Sequence, residues 1–135
     1  MRKGKIHIGT SGWHYKHWKG TFYPEDVKDK DQFTEYLKSF TTVELNSSFY
    51  RLPPPEVFEG WRKSTPARFI FAVKANRFLT HNKKLIVDKN SIKRFFHSVD
   101  KLEKKLGVIL FQSMVISGFL SWLWHRGNTA HTTPA

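Results

Sequence analysis

Glu44, Lys74 and His81 are the side chains of this 135-residue chain best suited to moving a proton. Glu44 sits in TTVELNSSFYRLP, Thr41 to Pro53, which reads as a short strand (Thr42 to Leu45) entering a polar, aromatic loop that stops at three prolines. Side chains alternate across a strand, so Val43 and Leu45 take one face and Glu44 and Asn46 the other. A carboxylate in a segment otherwise built for burial needs a partner or a purpose, because burying a lone charge is very costly. Lys74 ends a second apolar strand on the same face as the small Ala72, from where it could approach Glu44. A Glu/Lys pair in a cleft is a candidate acid/base couple. It serves equally as a salt bridge that only orders the strand ends. His81 follows in the next loop as a third proton carrier.

The groups that would bind and orient a ligand lie beside these. Thr10, Ser11, Gly12 and Trp13 form a tight turn after the first strand, whose backbone N–H groups could face an anion. Asn46 would orient, Trp13 and Tyr50 would line the pocket, and Gln112 ends the fourth strand. His7, His14, His17 and His81, with Glu44 and Asn46, offer nitrogen and oxygen ligands. His14-x-x-His17 lies on a loop, however, and no complete ligand set is readable, so neither metal nor cofactor is expected. No phosphate-binding Gly-rich loop, dinucleotide fingerprint or nucleophile elbow appears.

Positioning these groups requires alternating strands and helices. Lys5 to Thr10 (KIHIGT) has the alternation of a first strand. The aromatic loop WHYKHWKGTFYP follows, either a pocket wall or a cover over the sheet end. Asp29 to Phe40 reads as a helix with Phe33, Tyr36, Leu37 and Phe40 in one stripe, opened by a capping-box pair, Asp29 and Gln32. After the Glu44 strand, three prolines lead into a helix whose buried side is Val57, Phe58 and Trp61, stopped by Thr65-Pro66. Phe69 to Lys74 (FIFAVK) is nearly all apolar, as in a parallel strand covered on both faces. Ser91 to Leu106 reads as the longest helix, with Gly107 as its C-cap, and Gly107 to Gln112 as the fourth strand. The order β-α-β-α-β-α-β with short connections predicts a parallel sheet with right-handed crossovers.

Composition sets outer bounds. The hydrophobic content of 39% and aromatic content of 16% describe a globular chain. With no cysteine, disulfides and thiolate metal sites are excluded. The N-terminus has no apolar run long enough for a signal peptide, and the longest apolar run, Met114 to Trp124, is well short of the ~20 residues of a membrane span. A cytoplasmic protein without a membrane partner is the expectation. The net charge of +12 is concentrated late, and no acid follows Glu103. Such a balance marks either a solvated basic helix face or a nucleic-acid partner.

Four segments in one order resemble the YecE-like proteins of domain-of-unknown-function family 72: IGTSGWHYKHWKGTFYP (Ile8 to Pro24), FTTVELNSSFYRLP (Phe40 to Pro53), Trp61 with FIFAVKANRFLTH (Phe69 to His81), and GVILFQ (Gly107 to Gln112). The resemblance implies a TIM-barrel-like (β/α) fold, here about four βα units with parallel strands. In such folds the site lies at the C-terminal strand ends, where Glu44, Lys74 and the residues named above fall. It implies a barrel-half domain over residues 1–112; 113–135, where the resemblance stops, is expected to be a divergent tail, truncated, frameshifted or disordered, and a genuine short tail packed on the half-sheet is the alternative. Four strands cannot close a barrel and leave two sheet edges, so either self-association through those edges or a poorly soluble monomer is expected. The functional expectation is an enzyme, or the remnant of one, acting on a small polar or phosphorylated ligand. The alternatives are a nucleic-acid-binding protein using the basic face and a non-functional truncated product.

Overall fold

The computed structural model describes residues 4–82, 88–115, 118–125 and 128–134. Four parallel strands form one part of the sheet: β1 (Thr10–Ser11), β2 (Thr42–Leu45), β3 (Ile70–Lys74) and β4 (Leu106–Val115). They alternate with α1 (Gln32–Ser39), the short α2 (Ser47–Tyr50), α3 (Pro55–Ser64) and α4 (Lys89–Val99). This is the α/β parallel arrangement that the alternation of elements predicts. The stretch after Gln112 finishes β4 and adds β5 (Gly118–His125) and β6 (Asn128–Pro134), paired antiparallel beyond it. The sheet order is β1 to β6 in sequence, so β1 and β6 are its edges. No helix among the described residues is long and apolar enough to cross a membrane.

The helices cover one face of the parallel strands. Val43, Leu45, Phe71, Val73 and Ile109 are at most 1% exposed and form one core with Tyr36, Phe58, Phe95, Val99 and Leu102. The opposite face is only half covered: along β3, Ile70, Ala72 and Lys74 alternate with the buried Phe71 and Val73. The apolar run FIFAVK thus has one covered face rather than two. In a closed barrel that second face would be packed by facing strands.

Several local expectations are corrected. Only Thr10 and Ser11 of the first strand pair with β2; Ile6 and Ile8 lie outside the ladder and are 84% and 75% exposed. Asp29 and Gln32 do not form a capping box. The Asp29 carboxylate instead meets Lys19 Nζ at 2.7 Å and the Gln32 side-chain amide at 3.4 Å, ahead of α1. In α3, Phe58 is buried but Val57 is exposed.

The long helix expected to reach Leu106 ends at Val99, and a 3₁₀ segment, Asp100–Lys105, carries the chain into β4. Its start is set by Asp88, whose Oδ1 accepts from the N–H groups of Asn90 and Ser91, both at 2.9 Å. Gly107 is no C-cap. The β3–β4 register steps from Phe71↔Leu106 to Ala72↔Val108, leaving Gly107 as the extra residue of a bulge. A Cβ there would stand 2.5 Å from Ile70 Cγ2, so close strand approach explains the glycine.

Candidate functional site

The end of β1 lies beside the end of β2, with Thr10 opposite Val43 and Ser11 opposite Glu44. The buried Tyr36 hydroxyl of α1 fixes this junction. It accepts from the Thr10 N–H at 3.0 Å and donates to the Thr42 carbonyl at 2.8 Å, filling a gap in the ladder between the two strands. Thr10 Oγ1 donates to the Gly12 carbonyl at 2.7 Å. Gly12 then turns the chain at φ 92°, a conformation that side chains with a Cβ rarely adopt. The Tyr15 hydroxyl donates back to the Ser11 carbonyl.

Held this way, three polar side chains meet. Asn46 Nδ2 donates to Ser11 Oγ at 2.5 Å, and Ser11 Oγ donates to Glu44 Oε1 at 2.5 Å. The second distance lies at the short end of the O–H···O range. The relay lies between two cavities. One, about 420 Å³, is walled by Trp13, Tyr15 and Trp61 with Ser11 and Asn46. The other, about 240 Å³, opens on the half-covered sheet face and is lined by Ser11, Glu44, Ala72 and His7. Trp13 stacks obliquely on Phe33, with centroids 4.2 Å apart, and meets Trp61 edge to face at 5.7 Å. Its backbone carbonyl accepts from the Tyr23 hydroxyl at 2.6 Å. Burial, helped by the neighbouring Tyr36 and Glu35, pushes the Tyr23 phenol up to about 12, so it stays a donor at neutral pH.

Of the predicted residues, the fold therefore gathers Ser11, Gly12, Trp13, Glu44 and Asn46 at one place, with Thr10 serving the junction. It does not bring Lys74 to Glu44. Glu44 stands opposite Ala72, and Lys74 lies two residues further along β3, about 6.6 Å beyond at a strand's usual rise. The Lys74 ammonium rests 4.7 Å from the centroid of the Phe49 ring, whose face attracts a cation, and pairs with no carboxylate among the described residues. Tyr50 is 68% exposed and lines neither cavity. Gln112 is in the middle of β4, opposite Ser121. His81 falls within a π-helical turn, Phe78–Asn82, and its side chain is outside the described residues.

The sequence pattern places Ser47 at this strand end but does not single out Trp61 or Tyr36 for the site. Trp61 reads as the buried stripe of α3, and only the fold sets that helix beside the β1 loop. Among the described residues no three His, Cys, Asp or Glu side chains gather as a metal-ligand set.

The chain is similar to the UPF0759 protein YunF of Bacillus subtilis, 32% identical over 118 residues, and to the UPF0759 protein YecE of Escherichia coli, 28% identical over 122 residues. The alignments cover 79% and 89% of this chain but only 39% and 42% of those proteins. The crystal structure of a DUF72 family protein from Thermotoga maritima superposes with a TM-score of 0.68 at 32% identity, covering 80% of this chain and 44% of that one. A DUF72 family protein from Enterococcus faecalis, 23% identical with a TM-score of 0.57, shares the fold. These neighbours have a TIM-barrel-like fold, and the present chain covers part of it. With residues 7–114 matching the family described as "Protein of unknown function DUF72", the chain belongs to that family.

Proposed function

We propose that the ends of β1 and β2 carry part of a site for a small polar ligand, in which Glu44 takes or gives a proton. The observation that carries this reading is the Asn46–Ser11–Glu44 relay, with both bonds at 2.5 Å, set between two cavities. It needs only the residues of β1 and β2 and no group from beyond them. Ser11 and Asn46 are assigned as positioning residues. A lone carboxylate is a weaker base than the imidazole that activates most nucleophilic serines, so attack by Ser11 is not assigned. Trp13, Tyr15 and Trp61 supply flat apolar walls, and Ser11, Asn46 and the backbone of the turn supply hydrogen bonds, the mixture that small polar ligands require. Because the chain spans less than half of its curated relatives, other residues of the site would come from strands that this chain does not include.

The test is amide NMR on the chain titrated with a panel of sugars, sugar phosphates and hydroxy acids at millimolar concentration. Shifts centred on Gly12, Asn46 and the Trp13 and Trp61 indole N–H groups are expected. Glu44→Gln is expected to abolish them and leave the rest of the spectrum intact. A panel without such shifts, or shifts that persist unaltered in both Glu44→Gln and Ser11→Ala, would overturn the reading.

A further inference from the structure

A cavity of about 1030 Å³ is an open groove on the helical side of the molecule, between the α2–α3 connection and α4. Its floor is Leu52 with the three prolines, Pro53 to Pro55. Its charged lining is cationic: Arg51 on one wall, Lys93 and Arg94 on the other, with the polar His97, Ser47 and Ser98 beside them and no Asp or Glu. None of Arg51, Lys93, Arg94 and His97 has a carboxylate partner among the described residues. The groove thus presents two guanidinium groups and an ammonium with no carboxylate in its lining.

We infer that this groove binds a single-stranded nucleic acid through its phosphates. Three further observations favour an extended polyanion over a single small anion. On α4, Lys89, Lys93 and His97 recur at every fourth residue and so stack along one side of the helix, extending the charge beyond the cavity. A second cavity of about 310 Å³ shares Leu52 and Arg94 with the first and is lined further on by Phe78, 39% exposed, so the track extends past the groove. Tyr50, which the candidate ligand site does not use, is 68% exposed beside Arg51. Cationic tracks flanked by exposed aromatic faces suit unpaired strands, whose bases stack on the rings while guanidinium forks take the phosphates. An acidic peptide would use the same charge but not the rings. The net charge of +12 adds long-range attraction for an anionic strand. Ser47 lines both this groove and the cavity beside Asn46, so a strand in the groove would run next to the candidate ligand site.

The experiment is fluorescence anisotropy of a labelled oligothymidylate with the whole chain over a range of NaCl concentrations. The parent should bind with an affinity that falls steeply with salt. The combined Arg51→Gln, Lys93→Gln and Arg94→Gln variant should bind at least about tenfold more weakly, with the logarithmic salt slope reduced by about 2, as loss of three phosphate contacts requires. A charge-matched control, Lys16→Gln, Lys28→Gln and Lys30→Gln, should lose much less. Arg51→Lys with Arg94→Lys should keep the salt slope, which separates charge from any damage to folding. Equal losses in the two triple variants would assign the binding to net charge alone and overturn the inference. So would binding that salt leaves unchanged, or competition by polyglutamate as effective as that by unlabelled oligonucleotide.

Discussion

Replacing Gly9 by alanine tests how closely β1 must approach β2 for the Ser11–Glu44 contact to form. Gly9 has no unusual φ, so the substitution carries no backbone penalty of its own. An added Cβ would lie 2.3 Å from the Thr42 carbonyl oxygen and 2.8 Å from Thr42 Cγ2. Close C···O contacts between strands run at about 3.3 Å or more, so β1 has to retreat by about 1 Å. The oxygen cannot turn aside, because it belongs to the backbone of β2 and already accepts from Tyr36. Overpacking of this kind costs about 1–3 kcal/mol, which lowers Tm by about 4–12 °C in a chain of this size. The retreat also stretches the 2.5 Å Ser11–Glu44 bond to the weak limit of hydrogen-bond reach. Gly60 is the internal control: it lies within α3 with nothing within 4 Å of where a Cβ would stand, so Gly60→Ala should stabilise by about 0.5–1 kcal/mol. Thermal melts followed by circular dichroism, with amide NMR at Ser11 and Glu44, read both effects. A Gly9→Ala variant that melts at or above the parent temperature with unmoved Ser11 and Glu44 amides would refute the packing account.

Three other perturbations have definite outcomes. Tyr36→Phe strips the partner from the Thr10 N–H and the Thr42 carbonyl inside the protein, and should cost about 2–3 kcal/mol by urea denaturation; an unchanged midpoint would show that the hydroxyl is dispensable. Lys105→Met removes an ammonium that donates to the Arg62 and Thr65 carbonyls, both at 2.6 Å, at the end of α3; a loss of about 2 kcal/mol is expected, and hydrogen exchange should show α3 fraying first. The Asp88 carboxyl is held below the usual carboxylate range by the Ser91 hydroxyl and then by the Ser91 N–H. Because its folded value is the lower one, its contribution is present above about pH 3.9 and is lost as pH falls through that folded value. The stability gap between the parent and Asp88→Ala should therefore narrow below about pH 4, and a gap constant through that range would contradict the assignment.

Much of the fold is legible because period-2 and period-3.6 patterns report directly on burial. Val43, Leu45, Phe71 and Val73 show the covered sheet face, and Tyr36, Phe58 and Phe95 the helix stripes that cover it. Glu44, Asn46 and Ser11 were legible for a related reason: alternation and the turn after β1 fix where those side chains project. Alternation gives a face but not a position along it. Lys74 shares the face of Ala72, yet the register leaves it beyond Glu44, and a flexible stem lets its ammonium settle over Phe49. Gly107 misled because a glycine after an apolar stripe resembles a helix cap as much as a bulge. What separates the two is the 2.5 Å approach of Ile70, a contact between residues distant in sequence. The groove beside α4 was visible only as charge, since its walls come from two helical segments that sequence spacing cannot juxtapose.

The Asn46–Ser11–Glu44 relay also has a kinetic meaning. Its two bonds span 35 and 33 residues of chain, and the Ser48 hydroxyl that lies against the Lys74 carbonyl spans 26. Each is a long loop whose closure costs entropy before any contact rewards it. Parallel pairing offers no hairpin from which such contacts could be seeded. The relay thus forms only once β2 has docked against β1, after the intervening loop has closed. Any excursion that parts those two strands dissolves the relay, which makes the Ser11–Glu44 bond a direct reporter of whether the β1–β2 ladder is closed.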